Sequence, residues 1–239
     1  MFHLKEPIYC GAQLVQEISE ELAALDSLRI SDGSLEQVRL IHLQRLARRI
    51  ETSLTEHSGH GECTAYYTSL IAHAIGMVQR QSTELQYAAL LHDIGLLSLP
   101  SGILNKPVPL TLDEYVLVQS HPREGAAMLS SYRFLSESAR LIAHHHERWD
   151  GAGYPYGLRG TYIPLSARIL SIADAFDVIT RRSDSIGAAL RTLRASSGTQ
   201  FEPALLDIFA ELLDGEGDSR ILTLEGGYCS FKQNDNNPS

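Results

Sequence analysis

Cysteine is scarce in this 239-residue chain, and it stands in the wrong places for a disulfide scaffold or a sulfur-bound metal site. Cys10, Cys63 and Cys229 are odd in number, widely spaced and in no CxxC arrangement, so a reduced, cytoplasmic chain is the simplest expectation. Runs of Lys or Arg are absent as well, and the net charge is −9, which argues against duplex nucleic acid held through its phosphates. No apolar run approaches the ~20 residues that span a bilayer, and the opening MFHLKEPIYCG has neither the basic flank nor the apolar stretch of a secretion signal. No internal repeat is visible. The length suits one large domain or one domain with short appendages, enough to bury roughly 70–75% of the extended-chain surface without staples.

Most of what is present reads as helix. Leu14, Ile18, Leu22 and Leu25 recur at helical spacing between about Gln13 and Leu28. SDGS at 31–34 breaks that helix, and Ser34 with Gln37 makes a capping-box start for the next, whose apolar side carries Val38, Ile41, Leu46 and Ile50. A third helix is expected from His60 to about Arg80, and Thr83 with Gln86 should open a short apolar one ending at His92-Asp93. Gly95 is a plausible stop after it. Pro and Gly make 96–110 a loop, Thr111 to Glu114 caps a further helix, and others are expected at about 122–130, 135–148, 164–180, 186–196 and 202–213. DGAGYPYGLRGTYIP is too rich in Gly and Pro for regular structure. Residues 220–224 and 228–232 around Glu-Gly-Gly could form a small hairpin, followed by a disordered tail.

Imidazoles and carboxylates recur along these helices: His92-Asp93, His121, the run His144-His145-His146-Glu147, and Asp174. Buried polar groups without partners are costly, so several of them beside Leu and Ala runs call for a shared explanation. Two divalent ions about 3.5–4 Å apart would provide one. Neighbours on a helix point about 100° apart, so His92 could bind one ion while the two oxygens of Asp93 bridge to the next. By the same spacing His145 and His146 would face different ions. Mixed nitrogen and oxygen donors favour iron or manganese, with zinc and others open. Singly, each residue has a plainer reading. His121 could cap a helix, the histidine run could be a partly exposed face, and Asp174 could pair with Arg168. His3, His42 and His73 lack such company and read as ordinary residues.

Three blocks, HDIGLLSLPSGILNKPVPLTLDEYVLVQSHPREGAAML, HHERWDGAGYP and IPLSARILSIADAFDVIT, resemble the HD-GYP subgroup of the HD-domain phosphohydrolases, and GTQFEP at 198–203 resembles its end region. The likeness covers roughly residues 55–213, and HHE-x-x-DG-x-GYP is its most specific part. It implies an all-α HD-domain helical bundle with an irregular GYP loop: an N-terminal helical extension over 1–54, the phosphohydrolase domain over 55–213 and a tail over 214–239 with the candidate hairpin.

The resemblance also implies a ligand set of His60, His92, bridging Asp93, His121, His145, His146 and Asp174, with His144 an extra neighbour. Glu56 is the candidate ligand of a third ion, and His57 a weaker competitor. Two or three divalent ions, iron or manganese, would follow. The implied activity is hydrolysis of cyclic di-GMP to pGpG or GMP by a hydroxide bridging the ions, with His92 and Asp93 at the centre of catalysis. Tyr154 in the GYP loop is the implied substrate contact, while Glu147 and Asp150 orient the loop.

Three departures bear on activity. Leu96 stands where the family has the lysine of HDIGK, Leu54 replaces an acid six positions before His60, and the basic segment after the ADAFDVIT helix shortens to RRSDSIG, leaving Arg181 or Arg182 to substitute. The expectation is therefore a cyclic-dinucleotide phosphodiesterase. The alternatives are a catalytically weak regulator that keeps the fold and the metals, or a phosphohydrolase of another nucleotide. The N-terminal helices could dock a partner or a second copy.

Overall fold

The computed structural model describes residues 11–29, 32–54, 59–104, 106–215, 221–225 and 228–232. Glu56, His57 and His3 lie outside them. The amphipathic stretches form α1 (Gly11–Ser27), α2 (Asp32–Leu54), α3 (His60–Ala74), α4 (Gln79–Leu91), α5 (Ser101–Leu104), α6 (Leu112–Val118), α7 (His121–Leu129), α8 (Ser136–Ile142), α9 (Leu165–Thr180), α10 (Ile186–Arg194) and α11 (Pro203–Gly215). Short 3-10 turns occupy Ile94–Ser98, Arg133–Leu135 and Gly160–Tyr162. The candidate hairpin is present as antiparallel β1 (Ile221–Glu225) and β2 (Tyr228–Lys232), with Thr223 opposite Ser230. No helix among the described residues is long and apolar enough to cross a membrane.

One core joins α1 to α4 with α7 to α11. Leu14, Ile18, Leu22 and Leu25 of α1 bury their stripe in the same cluster as Leu46 of α2, Ile71 of α3, Leu91 of α4 and Phe176 of α9. At its centre Phe176 makes edge-to-face contacts with Tyr67 and Phe209, ring centroids 4.9 Å from each, a favoured geometry for aromatic pairs. The buried stripe of α2 is Leu43, Leu46, Ala47, Ile50 and Leu54. Ile41, expected on that stripe, is 44% exposed, because it falls outside the 3.6-residue repeat that the others keep. Leu54 is therefore a core residue.

Several boundaries differ from expectation. The long third helix is two helices, since Gly76 adopts a left-handed φ of 68° and the chain restarts at Gln79 after extended Val78. Thr83 consequently lies one turn inside α4 rather than at its start. The expected 96–110 loop holds the Ile94–Ser98 turn and α5. Thr111 does cap α6 with a reciprocal Glu114 contact, as expected. α8 ends at Ile142, so the histidine run lies in a turn. Cys63 on α3 is disulfide-bonded, which corrects the expectation of three reduced thiols.

Candidate metal centre

Several backbone devices bring the histidines together. Gly59 turns left-handed (φ 88°) to start α3 at His60, and Glu51 of α2 accepts hydrogen bonds from the free backbone N–H groups of Gly59 and Gly61 (2.7 Å from Gly61). α4 ends on His92 as its C-cap, and Asp93 leads into the next turn. Gly95 is what lets α7 approach: a Cβ there would lie 2.0 Å from the His121 carbonyl oxygen and 2.6 Å from the Gly125 nitrogen. Its φ is not left-handed, so close approach, rather than a helix stop, explains this glycine. Pro122 occupies the first turn of α7. The turn after α8 presents His145 and His146, and the GYP loop folds back on it, Tyr154 donating its N–H to the His146 carbonyl at 3.2 Å.

Three of the imidazoles are oriented alike. His92 donates from Nδ1 to the Ala89 carbonyl at 2.8 Å, His121 to that of Val118 at 2.8 Å, and His145 to that of Ile142 at 2.7 Å. Each Nδ1 is thereby committed, and each Nε2 is left as the inward atom, the arrangement that fixes the tautomer of a metal-binding histidine. His60 is held instead by a side chain, its Nδ1 2.7 Å from Asp177 Oδ2, which also accepts from Arg181 Nε at 2.6 Å.

The inward atoms fall into two groups, linked by a third set of His92, Asp93 and His145. His60 Nε2 lies 3.1 Å from His92 Nε2 and 3.2 Å from Asp174 Oδ1. On the other side, His121 Nε2 lies 3.3 Å from His145 Nε2, and His146 completes the trio. Asp93 stands between, with Oδ2 3.5 Å from His92 Nε2 and Oδ1 3.5 Å from His121 Nε2. Each group offers donor atoms within 4.8 Å of one another and could hold a metal ion. His145 and His146 lie with ring centroids 4.0 Å apart; both join His121, and His145 also joins His92 and Asp93. Asp174 does not pair with Arg168, which reaches Glu202 instead.

Comparison with known proteins agrees with this geometry: residues 38–205 match the family described as HD domain. The chain belongs to the HD domain family. Among curated relatives, the cyclic di-GMP phosphodiesterase response regulator RpfG of Xanthomonas campestris pv. campestris is 35% identical over 203 residues, 82% of this chain and 54% of that protein. The 3'3'-cGAMP-specific phosphodiesterase 2 of Vibrio cholerae is 34% identical over 176 residues, 71% of this chain and 34% of that protein. This chain thus spans about half the length of its curated relatives or less. In fold it resembles Bd1817, a HDG"Y"P protein from Bdellovibrio bacteriovorus, with a TM-score of 0.57 at 16% identity, covering 90% of this chain and 75% of that one. HD domains are metal-dependent, and the HD-GYP resemblance seen in the sequence blocks is borne out.

Within this HD domain, electrostatics distinguishes the two groups. Burial holds His145 well below its ordinary value and His121 below it, and pushes His146 down to about 4, so these three are neutral ligands in waiting. Burial also opposes charge on His60, yet hydrogen bonds to Asp174 and Asp177 raise it well above the ordinary value. Burial would raise Asp93 and Asp174, but the surrounding imidazoles hold both carboxyls below the usual range.

Around this centre, Tyr154 tilts against His146 with centroids 4.9 Å apart. Buried Glu147 accepts from the backbone N–H groups of Tyr156 and Leu158 at 2.8 and 2.9 Å, and Asp150 from Ala152 at 2.9 Å, which shapes the GYP loop. His144 packs on Tyr156 and joins neither group. A 540 Å³ cavity opens from His60, Asp93, His146 and Asp174 toward α10 and Phe201. Arg182 is exposed and does not line it, and Leu96 packs against the core. Sequence reasoning missed Glu51 and Asp177. Asp177 was findable, because three residues after Asp174 on a helix puts it on the same face.

Proposed function

We propose that this HD domain is a metal-dependent cyclic-dinucleotide phosphodiesterase, with cyclic di-GMP the first substrate to test, yielding pGpG or GMP. The supporting observation is the convergence of the His60, His92, His121 and His145 Nε2 atoms about the two oxygens of Asp93. The donor set fits divalent ions such as iron or manganese: neutral nitrogens with their far sides committed, plus two carboxylates kept ionised. His60, His92 and Asp174 would hold one ion and His121, His145 and His146 another, with Asp93 shared. Glu56 would serve a third. Bound ions supply the charge that stabilises phosphoryl oxygens and makes water nucleophilic near neutral pH.

The chain's own residues do the rest. Asp177, anchored by Arg181, keeps His60 aimed inward. Glu147 holds the loop that sets Tyr154 against His146, where its ring can contact substrate. One further reading, a binding protein with weak turnover, rests on the cavity wall: among the described residues lining it, none is Lys or Arg. Cyclic di-GMP and 3'3'-cGAMP are to be incubated with manganese- and iron-loaded protein, following linear products. Metal-dependent turnover lowered on the order of 10³-fold by Asp93→Asn is the expected result. Tight binding without turnover favours the second reading, and neither binding nor turnover overturns both.

A further inference from the structure

The cavity beside the metal centre is lined by groups of two kinds. His60, Asp93, His146 and Asp174 belong to the histidine–carboxylate cluster. The rest of the lining is apolar at Val178, Ile179, Leu193 and Phe201, with neutral polar groups at Thr192, Ser196 and Gln200. A wall without Lys or Arg is poorly suited to a second phosphate, whereas apolar faces with a few placed hydrogen-bonding groups suit a flat heterocycle. The volume, 540 Å³, is within the usual range for a small-molecule site.

Gln200 is the best-placed of these polar groups. Its backbone is fixed on both sides: its N–H donates to the Ser196 carbonyl at 3.0 Å, and its carbonyl accepts from Trp149 N–H at 3.0 Å. The side chain is half-buried, and among the described residues its amide has no hydrogen-bond partner. It offers an adjacent donor and acceptor, which is the complement of a purine edge.

We propose that Gln200 seats a nucleobase while the phosphate lies at the histidine cluster. The assignment rests on the phosphodiesterase reading for its phosphate end. Because a carboxamide can exchange its donor and acceptor by flipping, the seat accepts guanine and adenine alike.

The test compares wild type with Gln200→Ala and Gln200→Glu, all loaded with manganese. Calorimetric titration with GMP, AMP and ribose 5-phosphate measures the seat. Hydrolysis of bis(p-nitrophenyl) phosphate, a diester without a nucleobase, measures the chemistry. Loss of one amide contact is expected to weaken GMP and AMP about tenfold and to leave ribose 5-phosphate affinity and bis(p-nitrophenyl) phosphate turnover as in wild type. Unchanged GMP and AMP affinity in both variants, no GMP binding by wild type, or equal weakening of ribose 5-phosphate would each overturn the seat. Gln200-dependent GMP binding in a protein that hydrolyses neither the base-free diester nor cyclic di-GMP would keep the seat and discard the phosphodiesterase.

Discussion

The two halves of the histidine cluster solve the same problem differently. The His121, His145 and His146 half uses burial and backbone carbonyls, so its imidazoles are neutral before any ion arrives. In the His60, His92 and Asp174 half His92 also bonds a backbone carbonyl, but His60 is buttressed by Asp174 and Asp177, which favour its protonated form. In the second half a proton holds the place where an ion would go. Cation binding there must displace it, whereas the neutral half releases none.

Removing the close approach that unites the halves gives the largest effect. Gly95→Ala would place a methyl group 2.0 Å from the His121 carbonyl oxygen and push α7 outward. We expect more than about 3 kcal/mol of destabilisation by urea titration, and loss of bound metal first from the His121 half.

Acid should reveal the halves as opposite slopes. In ion-free protein His146 titrates at about 4 when folded against 6.5 in the unfolded chain, so the unfolded chain binds more protons between those values. Stability therefore rises from pH 4 to 6.5, by on the order of 3 kcal/mol from His146, and His145 acts in the same direction. His60 does the reverse: its contribution is complete below pH 6.5 and is lost as pH rises through its raised folded value. Urea midpoints measured across this range should climb, then fall on the alkaline side. His60→Gln should abolish only the alkaline fall.

A smaller effect separates the halves by affinity. Asp177→Asn leaves His60 in place but weakens its anchor, so one of two manganese-binding steps should weaken about 10–100-fold by calorimetry while the other stays. Equal weakening of both would show the halves to be one unit. Smaller still, Leu96→Lys should raise kcat/KM for cyclic di-GMP about tenfold. No change would show that a cation at position 96 does not serve the substrate phosphates.

The residues differ in how much of this was legible in sequence. The apolar stripes of α1 and α9 and the cap at Thr111 follow local periodicity and turn chemistry, and they fold as read. So do the positions of His60, His92, Asp93, His121, His145, His146 and Asp174 in one cluster, which the motif order carried. The break at Gly76 was hidden by apolar spacing that continues on both sides. The turn at 143–146 was hidden because the loop that packs on His146 comes later in the chain. Gly95 shows the limit most clearly: its need for space arises from α7, a contact between segments that no local pattern records. Glu51 was hidden the same way, as its partners Gly59 and Gly61 stand at the start of the next helix.

The central claim is that Asp93 joins two neighbouring cation sites. Anomalous diffraction from crystals of the manganese-loaded protein tests it directly. Two peaks about 3.5–4 Å apart, one toward each Asp93 oxygen, one ringed by His60, His92 and Asp174 and the other by His121, His145 and His146, are the expected result. A single peak, or peaks that Asp93 does not touch, would contradict it.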